Sequence, residues 1–358
     1  MIDSNFASLA KAVSHLEAGA PQQAKQILID MVSCTRHGDD LCGMIFASAL
    51  LKRIDADSHQ HSNHYLQDYA LPQIELFNLM VNKFPFVKEA GRIANSLLAR
   101  HLRGHDEAVI MDIGIGSGQQ IAALLRQMED TQTLPRKLTV VGVEPARASL
   151  HAAELTVRGV AAAVGVDLEF IPIAKCLEDL DDAEWAGLKA LQGPLVINEA
   201  FSLHHVATSL LRGDCKDKVL RRLRGLQPKA FVLCEPHSDH HSSVLSARLE
   251  NCWRHFGLAF RAIDQMEISQ LEKNALKTHF FSREIEDILG KDEYRRVERH
   301  ETAAMWMGRL RRVGFSVLAP GQEDAQQPSA GITSVSLRDG YLGLDFGHQT
   351  LVAVIQAV

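Results

Sequence analysis

The chain has no C-x-x-C pair, no apolar run approaching the roughly 18 residues of a membrane span, no surplus of positive charge, and no internal repeat or low-complexity segment. Each absence removes a class of function. Six cysteines, Cys34, Cys42, Cys176, Cys215, Cys234 and Cys252, are widely scattered, which argues against a zinc ribbon or a redox motif and for reduced thiols in the cytoplasm. The opening "MIDSNFASLAKAVSHL" carries Asp3 and lacks a basic start leading into an apolar block, so no secretory signal is expected. With 38 basic against 44 acidic residues the formal charge is -6, which gives little support to a nucleic-acid partner. A small-molecule partner is expected instead. What remains is 358 residues, 46% hydrophobic and 23% charged, enough for one large α/β domain plus an addition.

The first hundred residues read as helices. Leu9, Ala12, Val13 and Leu16, then Ala24, Ile27, Leu28 and Met31, recur at spacings of three and four on either side of a turn at Gly19 to Pro21, predicting two antiparallel helices. Further helices are expected over 40–54, 66–84 and 86–102, with an exposed loop over 55–64. From about residue 106, strands alternate with helices: "AVIMDIG", "LTVVGVEP", "VDLEFIPI", "PLVINEAF" and "AFVLCEP". Short, nearly continuous apolar strands of this kind predict a parallel sheet covered on both faces. The C-terminal segment predicts two antiparallel edge strands joined near Asp339 and Gly340. The expected division is a helical cap over 1–105, with apolar surface enough for a homodimer, and an α/β domain over 106–358.

Ligand sites in such sheets lie beyond the carboxyl ends of the strands, which here carry Asp112, Glu144, Asn198 and Glu235. After Asp112 come Gly114, Gly116 and Gly118. A dinucleotide turn fails at Gln119, which replaces the last small residue, and no Walker lysine follows. A tight structural turn is the bland alternative. The acid-x-G-x-G-x-G pattern, with a second strand ending in an acid, resembles the cofactor motif of S-adenosylmethionine-dependent class I methyltransferases. That resemblance implies a Rossmann-like methyltransferase fold with S-adenosyl-L-methionine as cofactor. It puts Asp112 near the cofactor's ammonium, the three glycines under its methionine part and Glu144 on its ribose. Gln119 stands beside the turn, Ala174 is the candidate adenine wall, and Asn198 faces cofactor and substrate together.

A second resemblance covers most of the chain. "LAKAVSHLEAGAPQQAKQILIDMV" is similar to the opening helical repeat of the GRAS family, and "FPFVKEAGRIANSLL" to its segment before the first strand. "LVINEAFSLHHV" and "LQPKAFVLCEPHSDH" resemble two of its strand ends. The most specific match is "RVERHE" at Arg296 to Glu301 with the aromatic-rich helix after it. The family is named from plant transcriptional regulators and has bacterial members that resemble methyltransferases. Plant members generally keep only the glycine at the position of Gly118. This chain keeps all three, which implies a bacterial member with room for the cofactor.

The expectation is therefore an N- or O-methyltransferase of a small planar metabolite, with the helical cap as lid. The alternative is a non-catalytic GRAS-like module that senses a small ligand or binds a protein. Candidate catalytic groups are His204 and His241, with neutral-range imidazoles suited to proton abstraction, and Glu235 as orienting acid or, equally, as a cap or ion-pair partner. Structural hydrogen bonding is the competing reading of each histidine. Phe201, His205, His237, Phe281 and Trp306 are candidate substrate contacts, with core packing the competing role for the aromatics. "HSDHH" lacks a known ligand spacing, so no metal is expected. "RVERHE" is read as a structural ion-pair network.

Overall fold

In a computed structural model, residues 2–34, 41–55, 79–206, 208–209, 213–325 and 331–358 are described. Residues 56–64 of the expected loop and 66–78 of the helix expected over 66–84 lie outside them. The chain divides into two units, one of residues 1–84 and 238–301 and the other of 85–237 and 302–358.

The first unit is helical. Helices α1 (Ile2–Glu17) and α2 (Pro21–Cys34) form the expected pair, turning at Gly19, whose φ of 72° suits glycine. Leu9, Ala12, Val13, Ala24 and Leu28 fill the seam, as their spacing dictates. Helix α3 (Leu41–Ile54) and a long helix, Leu245–Gln265, complete the core. Trp253 of that long helix packs on Phe6 and Phe46 at ring separations of 5.9 and 4.9 Å. Two π-helical turns follow, Leu276–Phe281 and Glu286–Gly290. Gly290 has no side chain for a reason: a Cβ there would stand 2.8 Å from the Ala49 carbonyl oxygen of α3.

The second unit is an α/β sheet, mostly parallel, with an antiparallel edge. Its strands are β1 (Glu107–Ile113), β2 (Lys137–Val143), β3 (Asp167–Ile173), β4 (Leu195–Ala200), β5 (Ala230–Pro236), β6 (Ser334–Arg338), β7 (Tyr341–Phe346) and β8 (Gln349–Ala357). They run in the order β3-β2-β1-β4-β5-β8-β7-β6, parallel from β3 through β5 and antiparallel thereafter. The C-terminal segment makes three strands where two were expected. Besides the turn at Gly340, a second glycine, Gly347 at φ 63°, reverses the chain again.

Strand periodicity sorts the sheet's contents by face. Val109, Met111, Ile113, Ile197, Phe231 and Leu233 pack toward Leu220 and Leu223 of the helix Cys215–Gly225 and Trp306 and Leu310 of the helix Ala303–Arg312. The alternate residues, Asp112 and Asn198 among them, face the helices Pro85–Leu102 and Gln119–Asp130.

Candidate functional site at the strand ends

The glycine turn is built as a strand-to-helix corner. Gly114, Gly116 and Gly118 all take left-handed backbone, with φ of 74°, 54° and 76°. Gly114 N–H and Ile115 N–H both donate to the Val143 carbonyl, at 2.9 and 3.2 Å, tying the corner to the end of β2. The three glycines then differ. A Cβ at Gly114 would lie 2.7 Å from Ser202 Cβ, and one at Gly118 would lie 3.0 Å from both Cα and O of Ala153. One at Gly116 would meet nothing nearer than 4.0 Å. Two glycines thus admit the chain's own packing, and Gly116 alone faces open space. Glu144 closes over the corner from β2: its carboxylate accepts the Ala146 N–H at 2.9 Å and the Gly116 N–H, and burial raises its pKa despite them.

Asp112 does not face outward. It is 3% exposed, and its Oδ1 accepts a hydrogen bond from Asn198 Nδ2 at 2.7 Å. Asn198 Oδ1 accepts from Gln120 Nε2 at 2.9 Å, and that amide also reaches Asn95 Oδ1 at 3.3 Å. Asn95 Nδ2 donates back to the Gln120 carbonyl at 3.2 Å. Burial pushes the Asp112 carboxyl up to about 7; the Asn198 amide works against this, and the charges of Glu199 and Glu144 add to it.

A second polar cluster occupies the opposite face, because residues adjacent in a strand point opposite ways. Glu199 follows Asn198 and is fully buried; its Oε1 accepts from Ser202 N, Leu203 N and Ser202 Oγ at 2.8, 2.9 and 3.0 Å. These bonds hold the bend in which Phe201 takes a φ of 60°, unusual for an aromatic residue, while its N–H donates to the Cys234 carbonyl at 2.9 Å. Glu235, at the end of β5, accepts from His204 N at 3.1 Å and has His204 Nδ1 at 2.5 Å from Oε2. Burial raises both acids, Glu235 to about 7 and Glu199 well above its usual range, the latter further raised by the Glu235 charge. Lys216 moderates Glu235 with its positive charge; its ammonium is itself buried, 4.9 Å over the Trp306 ring.

The remaining candidates are spread out. His205 lies against His204 with its ring tilted, the ring centres 3.9 Å apart. His237 accepts the Ala303 N–H on Nδ1 at 3.1 Å and stacks on Tyr341, so it anchors the start of the last long helix. Trp306 is core. Ala174 is half-buried, and Gln119 is exposed at the first turn of its helix. His241 and Phe281 belong to the helical unit: His241 Nδ1 stands 3.6 Å from Glu301, and Phe281 packs among Phe84, Phe256, Phe260 and Phe280. The sequence reading missed Asn95, Gln120, Glu199, Ser202 and Lys216. Lys216 had a signal, since it lies three, four and seven residues before Val219, Leu220 and Leu223, on the buried stripe of its helix.

A mostly parallel α/β sheet whose strand-end acids turn inward to neighbouring amides, hydroxyls and imidazole defines a scaffold with its polar groups already committed. The chain belongs to the GRAS domain family, whose sequence profile matches residues 3–349. It is 27% identical over 270 residues to the GRAS family protein RAD1 of Medicago truncatula, covering 73% of this chain and 50% of that protein. It is 22% identical over 372 residues to the Scarecrow-like transcription factor PAT1 of Arabidopsis thaliana, covering 98% and 74%. The crystal structure of SCL7 from Oryza sativa superposes at a TM-score of 0.81 and 20% identity, covering 99% of each chain, and shares the fold. The chain thus spans half the length of RAD1 and about three quarters of PAT1.

These relatives correct the expectation of an enzyme. They are named as GRAS family proteins and a transcription factor, and the matching fold is that of a GRAS protein, so the assignments as transferase and as N- or O-methyltransferase of a planar metabolite fall. The general-base role expected of His204 and His241, and the orienting role of Glu235, lose their reaction. No helix among the described residues is long and apolar enough to cross a membrane.

Proposed function

We propose that the chain is a non-catalytic GRAS module that works by binding, taking up a protein partner and holding a small ligand at the glycine corner without transforming it. The observation that carries this reading is the closure of Asp112. A carboxyl that is to steady a ligand's ammonium must be ionised and reachable, and this one is buried, bonded to Asn198 and half-titrated near neutrality. S-adenosyl-L-methionine therefore fits in part. Gly116 offers clear space, Glu144 accepts its N–H and Ala174 is half-buried just past the end of β3, whereas Gly114, Gly118, Asp112 and Asn198 are spent on the protein's own packing.

On this reading the sheet order is a Rossmann-like methyltransferase scaffold put to recognition, and the intact glycine triplet marks a bacterial type of GRAS chain. Thiols outside any disulfide at Cys42, Cys176, Cys215, Cys234 and Cys252 support a cytoplasmic setting. The test is calorimetry with S-adenosylmethionine and S-adenosylhomocysteine beside an assay with a methyl-labelled donor and a metabolite extract. Binding of either nucleoside with no label transferred supports a ligand-holding module. Label appearing in any acceptor overturns the non-catalytic reading, and failure of both nucleosides to bind overturns the ligand at Gly116.

A further inference from the structure

Within the helical unit, residues 291–301 leave the last π turn and carry a single 3-10 turn, Glu293–Arg295. Glu293 there is the meeting point of three arginines. Its Oε1 accepts from Arg296 Nη2 at 3.0 Å and Arg299 Nη1 at 2.6 Å. Its Oε2 accepts from Arg248 Nη1 at 2.8 Å and from Arg296 Nε and Nη2 at 3.2 and 2.9 Å. Arg299 Nη2 also reaches the Glu293 carbonyl at 2.5 Å. These guanidiniums are 5% exposed or less, whereas the Glu293 side chain is 42% exposed.

Arg53 adds a fourth guanidinium, 3.3 Å from Asp292. Asp287 pairs with Lys291 and accepts the N–H groups of Val297 and Glu298, both at 2.7 Å, while the Glu298 carboxylate lies 3.3 Å from the His300 ring. Burial and the neighbouring Arg248 and Arg299 bring the Arg296 guanidinium down to about 10. Arg248 Nε is buried with no hydrogen-bond partner among the described residues. Five contacts from four guanidinium nitrogens, Arg248 Nη1, Arg296 Nε, Arg296 Nη2 and Arg299 Nη1, take up the roughly four lone pairs of the two Glu293 oxygens.

We propose that Arg248, Arg296 and Arg299 form a binding site for a phosphate monoester dianion, occupied in this structure by the chain's own Glu293. A phosphate brings a third oxygen, for which Arg248 Nε is an available donor, and a second negative charge for three guanidiniums that converge on one carboxylate, and guanidinium forks match it bidentately. Glu293 is the member that can leave, since its exposed side chain regains water when it swings outward. The "RVERHE" run then does more than brace the fold: its two arginines, with Arg248 from the long helix, make a pocket that an external ligand competes for.

The test uses the full chain and inorganic phosphate, against chloride at matched ionic strength. In Glu293→Gln, which removes the competing charge, phosphate should bind at least about tenfold more tightly than to the wild type, a difference of about 1.4 kcal/mol, and should raise the melting temperature where chloride does not. Adding Arg248→Gln should abolish both effects. O-phosphoserine should bind the single variant within about tenfold of phosphate; its exclusion would overturn the monoester assignment. No phosphate-specific shift in Glu293→Gln would overturn the site. If that variant does not fold, refolding yield decides: recovery in phosphate but not chloride supports the proposal, and equal yields refute it.

Discussion

Asn198 donates its side-chain amide to Asp112 across the gap between β4 and β1, at 2.7 Å and out of reach of water. In the register of the two strands these residues are direct partners, so the contact is fixed by the sheet itself. Replacing Asn198 by Ala leaves the acid buried without this donor, and removes the nearer of the two acceptors of Gln120 Nε2. We expect a loss of about 2 to 3 kcal/mol in denaturant unfolding. A loss under about 0.5 kcal/mol would mean the amide bond is incidental.

The pH dependence follows from the same burial. The unfolded chain releases the Asp112 proton near 3.8, whereas the folded protein holds it to about 7. Between those values the folded state carries the extra proton, so its stability falls as pH rises, and the full cost is present above about 7. Glu235 behaves likewise from its ordinary 4.5 to about 7. Compared with Asp112→Asn or Glu235→Gln, the wild type should lose stability over this window, by at most about 1.4 kcal/mol per pH unit for each group. Parallel stability curves for wild type and variant would refute it.

The glycines should rank by what surrounds them. Gly116→Ala meets only the cost of a left-handed backbone, about 1 to 2 kcal/mol. Gly118→Ala adds a Cβ 3.0 Å from the Ala153 backbone and should cost distinctly more. Thermal melts of the two variants give the order directly; an equal or reversed order would contradict the helix contact at Gly118.

Lys216 is the counter-charge to Glu235 and sits over Trp306. Lys216→Met should therefore destabilise the fold by about 3 to 5 kcal/mol at neutral pH, and Glu235→Gln in the same chain should restore part of that loss. Strictly additive effects in the double variant would show that the two side chains do not interact.

Much of this was legible in the chain itself. Apolar spacing gave the α1–α2 pair, and short apolar blocks placed β1 through β5 to within a residue or two. The polar strand tips Asp112, Glu144, Asn198 and Glu235 were legible because a parallel sheet presents its ligand face at those ends. What periodicity also implied was the separation of Asn198 from Glu199, since neighbours in a strand face opposite ways. Lys216 was harder, because a lysine in a charged helix reads as solvated until its stripe is compared with Val219 and Leu223.

The sequence by itself determined the family, the alternation of strand and helix and the glycine corner, for these depend on local spacing and on backbone conformations that particular residues favour. Only the tertiary structure decided that Asp112 is sealed by Asn198 and Gln120, that residues 238–301 group with the first helices, and that three arginines converge on Glu293. Those outcomes depend on which distant side chains share a low-dielectric interior, where an unpaired charge is costly and each polar group must find its partner through space.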